Sequence, residues 1–233
     1  MAQSRLVAAA AYAPVVGRQL PTNDETPQLS EARAALRVST KKLLLCGAVG
    51  SPLFVFVFTV AGAVRPNYSP LRQNVSSLEV GEFGWIQSGN FVVTGFLFLA
   101  FSLGLRRALE PLGATWQPTV IALVALGLIG AGLFTPQDNA LLHDLSSAPV
   151  FLGLPIGCAA FGRLFKRHAS HGWATYSFLT GAAILTAFAF SMLGFGGHPS
   201  FVSVAGLWQR ISILAGWTWV MLLAVRELRS GTD

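Results

Sequence analysis

Charge is what this chain has least of. Only 11% of its 233 residues are Asp, Glu, Lys or Arg, less than half the roughly 25% of an ordinary soluble domain. With 53% hydrophobic residues and a mean hydropathy of +0.57, the chain falls in the membrane class rather than among soluble globular proteins. Cysteine is nearly missing too. Cys46 and Cys158 both lie inside apolar runs, which argues against a disulfide framework and leaves helix packing as their role. The sequence has neither the cysteine spacing of a metal site nor a glycine-rich phosphate loop, so it implies no cofactor. The net charge of +6 would point a soluble protein towards nucleic acid. Here the positive residues are spread as topology signals, and nucleic acid drops out as a partner.

What the chain has instead is apolar length. Six runs, at about 43–64, 85–105, 117–135, 147–165, 173–194 and 204–225, each approach the roughly 20 residues a helix needs to cross the hydrocarbon core. The expectation is an all-α, polytopic membrane bundle of six transmembrane helices over residues 43–228, behind a basic tail over 1–42. In the tail, Leu6 to Val16 is apolar but too short to span. It resembles a signal peptide without a cleavage site. Arg33, Arg37 and Lys41 recur at four-residue steps, which puts three cations on one helix face, suited to anionic headgroups.

Lys and Arg are split unevenly between the two sets of connections. Arg5, Arg18, Arg33, Arg37, Lys41 and Lys42 precede the first run, Arg106 and Arg107 follow the second, Arg163, Lys166 and Arg167 close the fourth, and Arg226 and Arg229 close the sixth. The other side has only Arg65 and Arg72, with Arg210 inside the last run. By the positive-inside rule both termini are cytoplasmic. Trp85, Trp116 and Trp173 each open a run, where amphipathic rings favour the interface.

Polar residues collect on the opposite, outer side. The longest connection, 65–84, reads RPNYSPLRQNVSSLEVGEFG. Val75, Leu78 and Phe83 with Glu79 and Glu82 predict a short helix on the membrane surface or folded over the bundle. The next outer connection, 135–149, carries Asp138, His143 and Asp144, and His198 lies on the third. Ser146 or Ser147 is expected to cap the fourth span, with Pro149 in its first turn. Gln87, Asn90 and Thr94 enter the second span on one helix face, placed either to join helices by hydrogen bonds or to face a ligand. Gln209 and Arg210 sit about two turns below the outer end of the last span. A charge at that depth costs roughly 2.5–3.5 kcal/mol, so Arg210 needs a partner. The order of candidates is Asp144, then Glu82, then Asp138.

With these residues in view, the chain resembles the bacterial membrane-protein family called domain of unknown function 998, over about residues 43–228. NVSSLEVGEFGWIQSGNFVVTGFLFLAFSLGLRRAL, LLHDLSSAPVFLGLPIG and GLWQRISIL carry the resemblance. It implies a six-helix fold in a bacterial plasma membrane. It also singles out Ser76, His143, Asp144 and Arg210 as positions to test.

Three functions compete. The leading reading is a binding module in which His143, Asp144, Arg210, Gln87, Asn90, Glu82 and Gln209 line an outward-facing polar cup for a lipid headgroup, a small solute or a partner. The alternative is an intramembrane lipid hydrolase or transferase, with His143 as base, Asp144 as its acid and Ser76 or Ser77 as nucleophile. Small-solute transport comes third, since Arg210 is the one deep charge. A metal would have only His143, His198 and Asp138 to hold it, a sparse set, so none is expected. Membrane lipids, and a second copy or another membrane protein, remain as partners.

Overall fold

The computed structural model describes residues 39–230. The signal-like stretch Leu6–Val16 and the basic face of Arg33 and Arg37 lie outside the described residues. Six helices follow one another: α1 Thr40–Val64, α2 Gly84–Ala108, α3 Gln117–Leu133, α4 Ala140–Arg167, α5 His171–Phe195 and α6 Ala205–Arg229. Short 3-10 turns at Val75–Glu79, Glu110–Leu112 and Val202–Val204 sit in the connections. Each helix packs on its neighbours in sequence, and α6 returns to α1, so the bundle is a closed ring of six in chain order. Connections alternate between two ends. One end carries Arg106, Arg107, Arg163, Lys166, Arg167, Arg226 and Arg229; the other carries the 65–83 connection.

Five of the six helices are long and apolar enough to cross a membrane, and the protein is a multi-span membrane protein. The sixth, α3, has 17 residues, roughly 26 Å at 1.5 Å per residue, so it is about two turns shorter than the rest. Large apolar side chains that are exposed, such as Phe56, Phe96, Leu123, Leu152 and Leu179, form the lipid-facing wall. Inside the ring, Trp217 stacks on Phe54 at 5.0 Å between centroids and tilts against Phe98 at 5.8 Å. Trp219 meets Phe161 edge-on at 5.7 Å. Helices gain little from leaving hydrocarbon for one another, so close van der Waals fit of such rings is what holds the ring together.

The largest departure from expectation is at α4. Its helix starts at Ala140, not near 147, and its cap is Asn139, whose side-chain oxygen accepts from Leu142 N at 3.0 Å. Ser146 and Ser147 are therefore helix interior, and Pro149 stands three turns in rather than in the first turn. Residues 140–146 contain too many polar groups to read as a span, yet they form an amphipathic turn. Leu141 and Leu145 face outward and His143 faces inward.

Candidate functional site

The connection from α1 to α2 folds down onto the bundle. Asn74 caps the 3-10 turn Val75–Glu79 by accepting from Ser77 N at 2.9 Å. Val75, Leu78 and Glu79 of that turn are all buried. Two arginines hold the segment. Arg65, just past the end of α1, donates to the carbonyls of Leu78, at 3.1 Å, and Val80. Arg210, in the second turn of α6, donates to the carbonyls of Pro70 at 2.7 Å, Gln73 at 2.8 Å and Gly206 at 3.0 Å, and to the Tyr68 hydroxyl. Gln209 adds a third tie by accepting from Val75 N at 2.8 Å. Gly206 permits this contact, because a Cβ there would stand 2.3 Å from the Gln73 carbonyl oxygen.

Beneath this cover lies a small chamber of about 30 Å³. Its polar lining comes from Ser76, His143, Ser147, Gln209 and Trp217, and its apolar lining includes Phe54 and Phe91. His143 lies 4% exposed on α4. Its Nδ1 donates to the carbonyls of Phe134 at 2.9 Å and Ala131 at 3.1 Å. Both belong to the C-terminal end of α3, where carbonyls lack helix partners, so the imidazole caps α3 from the neighbouring helix. Because both acceptors are carbonyls, Nδ1 carries a proton, and in the neutral ring Nε2 is the acceptor. Ser147, one turn along α4, stands 3.4 Å from Nε2.

Glu79 completes the group. Its Oε1 accepts from the Ser88 hydroxyl at 3.1 Å, and its Oε2 lies 3.5 Å from His143 Nδ1. That distance is too long for a good hydrogen bond, and Oε2 has no hydrogen-bond partner. Glu79 belongs to the connection, outside the spanning helices. Burial pushes its carboxyl up to about 8, with the Ser88 hydroxyl pulling the other way. Near pH 7 the acid is therefore mostly protonated. Trp217 Nε1, on the chamber wall, is likewise buried without an acceptor.

The expected site residues separate into two groups. Ser76, His143 and Gln209 meet at the chamber. Gln87 and Asn90 are buried on α2, where the Asn90 amide donates to the Phe54 carbonyl at 3.1 Å and to Gln87 Oε1 at 3.3 Å; they join α2 to α1. Asp144 is exposed on α4 and forms no ion pair with Arg210, whose donors go to the 65–83 connection. The expected Arg210–Asp144 pair is replaced by these carbonyl contacts. The reason is rotation: once α4 begins at Ala140, consecutive residues diverge by about 100°, so His143 points inward and Asp144 outward. His143 is thus buried on a helix, not borne on a loop. Glu82 is exposed on the rim of another groove, beside Arg65. Asp138 accepts from the Thr135 hydroxyl at 2.6 Å, and His198 is exposed against Phe201. Among the described residues, no three His, Cys, Asp or Glu side chains gather closely enough to hold a metal ion.

Sequence reasoning missed Glu79, Ser147 and Trp217 as members of the site. A signal for Glu79 was present. In a 3-10 turn, residues three apart eclipse, so Ser76 and Glu79 share a side, while Val75 and Leu78 share another and seat the turn against the bundle.

The closed ring of apolar helices defines a polytopic helical membrane protein with a buried polar site at one end. Within that class, the chain belongs to the family described as Protein of unknown function (DUF998), whose model matches residues 48–226. No curated protein and no solved structure matches the chain.

Proposed function

We propose that this protein is a membrane-embedded binding module that holds a small, neutral, hydrogen-bonding solute in the chamber beneath residues 65–83. One observation carries the reading: Nε1 of Trp217, a residue of the chamber lining, is buried without an acceptor, and behind the lining imidazole of His143 the Glu79 Oε2 is buried without a partner as well. Each such group costs about 1–3 kcal/mol. A guest that accepts from Trp217 Nε1 satisfies the orphan that lines the chamber; Glu79, which is not part of the lining, meets such a guest only through the His143 imidazole. With about 30 Å³ of free space, where a single water needs roughly 10–15 Å³, the chamber takes a guest of only a few non-hydrogen atoms, and a lipid headgroup does not fit. With Glu79 protonated near pH 7, the guest needs no charge. The basic residues at the opposite end favour a cytoplasmic position for that end, and on this reading the chamber faces the outside of a bacterial plasma membrane.

Thermal unfolding of the detergent-solubilised protein with a panel of small neutral solutes (methanol, formamide, ethylene glycol) tests this. At least one solute should raise the melting temperature, and the rise should vanish in Trp217→Phe, which removes the N–H while keeping an aromatic ring, and in His143→Ala. A panel without effect, or a Trp217→Phe protein that responds like the parent, refutes the reading.

A second reading rests on a different observation. Ser147, His143 and Glu79 stand in the order nucleophile, base and acid, at 3.4 and 3.5 Å, the order used in acyl transfer, with the carboxyl ionised for that role above about pH 8. Glu79 and Ser147 hold the positions that the sequence assigned to Asp144 and Ser76. Labelling by a fluorophosphonate that is lost in Ser147→Ala and kept in Ser76→Ala would favour a hydrolase over a binding module.

A further inference from the structure

We propose that the seam between α1 and α6 is a binding site for one membrane phospholipid, with its phosphate on Arg210 and an acyl chain in the groove below. The site shares only Trp217 with the lining of the chamber and does not depend on the reading given to it.

Arg210 is the first observation. Among the described residues, no carboxylate lies within ion-pairing distance of its guanidinium, and every acceptor it has is neutral: three carbonyls and the Tyr68 hydroxyl. The aromatic rings of Tyr68 and Phe58 lie 5.6 and 5.9 Å from its central carbon. The cation is thus oriented but its charge is not neutralised, at a depth of about 8 Å below the start of α6. A cation in that position favours an anion, and phosphate is the anion that planar guanidinium donors fit best.

The groove is the second observation. A cavity of about 190 Å³ is lined by Arg210, Tyr68, Phe58, Thr59 and Leu214. A second cavity, of about 410 Å³, begins at the same Thr59 and Leu214 and runs deeper along the two helices, past Val55, Phe56, Trp217 and Met221. The pair is charged at the end near the helix termini and apolar below. That gradient matches a phosphate followed by a hydrocarbon chain. Free phosphate would leave the lower cavity unfilled, and a neutral lipid would leave Arg210 unneutralised.

The test uses the full-length protein in detergent, with native mass spectrometry and thermal unfolding. Phosphatidylglycerol should bind and raise the melting temperature, whereas diacylglycerol and inorganic phosphate should each do much less. Leu214→Trp, which fills the junction of the two cavities and leaves Arg210 in place, should lower retained phospholipid at least tenfold. Arg210→Lys should retain binding in part and Arg210→Gln should lose it. Should Arg210→Gln fail to fold, because Arg210 also holds the 65–83 connection, Leu214→Trp and the lipid comparison decide the matter. Equal stabilisation by diacylglycerol, equal stabilisation by inorganic phosphate, or undiminished phospholipid on Leu214→Trp would each overturn the proposal.

Discussion

Each end of the bundle buries one glutamate, and the two are partnered differently. At the basic end, Glu227 is 2% exposed and pairs with Arg226. Arg226 in turn lies over the Phe165 ring at 4.2 Å and the Trp173 ring at 5.5 Å. There the acid has its cation, and the cation has its aromatic bed. At the other end, Glu79 is 5% exposed and faces an imidazole already committed to two carbonyls, with one carboxylate oxygen unpartnered. The matched acid holds its neighbour Arg226 in place on α6, and Arg226 joins α6 to Phe165 of α4 and Trp173 of α5. An acid left incomplete is expensive to keep, and the guest proposed above would meet the imidazole that Glu79 faces. The same contrast separates Arg226, which has a carboxylate, from Arg210, which has only neutral acceptors.

The strongest way to break this comparison is to unmatch the matched end. Arg226→Ala leaves Glu227 buried without its cation and should cost about 3 kcal/mol, read as a large fall in melting temperature in detergent. A small change would mean that Glu227 is not the structural lock described.

A smaller effect, but a more diagnostic one, is expected at Glu79. Its carboxyl is raised from 4.5 to about 8, so the folded protein keeps a proton that the unfolded chain has lost. Its contribution to stability is whole below about pH 4.5 and is lost as pH rises towards 8. The parent should melt lower at pH 8 than at pH 5, and Glu79→Gln, neutral throughout, should remove that part of the decline. Parallel declines in both proteins would show that Glu79 is ionised across the range and that the chamber is not neutral.

The smallest effect is expected at Asp144. It is exposed and unpaired with Arg210, so Asp144→Asn should change stability by no more than about 0.5 kcal/mol. A loss comparable to that of Arg226→Ala would restore the ion pair that the sequence suggested.

Much of the architecture was legible in the chain. Hydropathy over 20-residue windows reports helices that must satisfy their backbone internally in lipid, and the chain folds as the six-helix, all-α bundle that signal implied. The inward stripe of Gln87, Asn90 and Thr94 was legible as well, because helical periodicity puts residues at i, i+3 and i+7 on one side; all three are buried. The start of α4 was not. Hydropathy averages over faces, so the amphipathic turn around His143 looked like loop, and an error of one helix boundary exchanged an inward histidine for an outward aspartate.

The amino-acid sequence by itself therefore determined that this protein is a helical membrane bundle of the family it belongs to, and which side chains were available for a polar site. Those properties follow from local composition and period. Only the tertiary structure decided that Glu79 meets His143, that Arg210 serves the 65–83 connection rather than Asp144, and that Trp217 lines the chamber. Such pairings join residues up to 142 positions apart in the chain, as Arg210 and Tyr68 are. They depend on how each helix is rotated about its own axis, which is set by packing around the closed ring and not by any local signal.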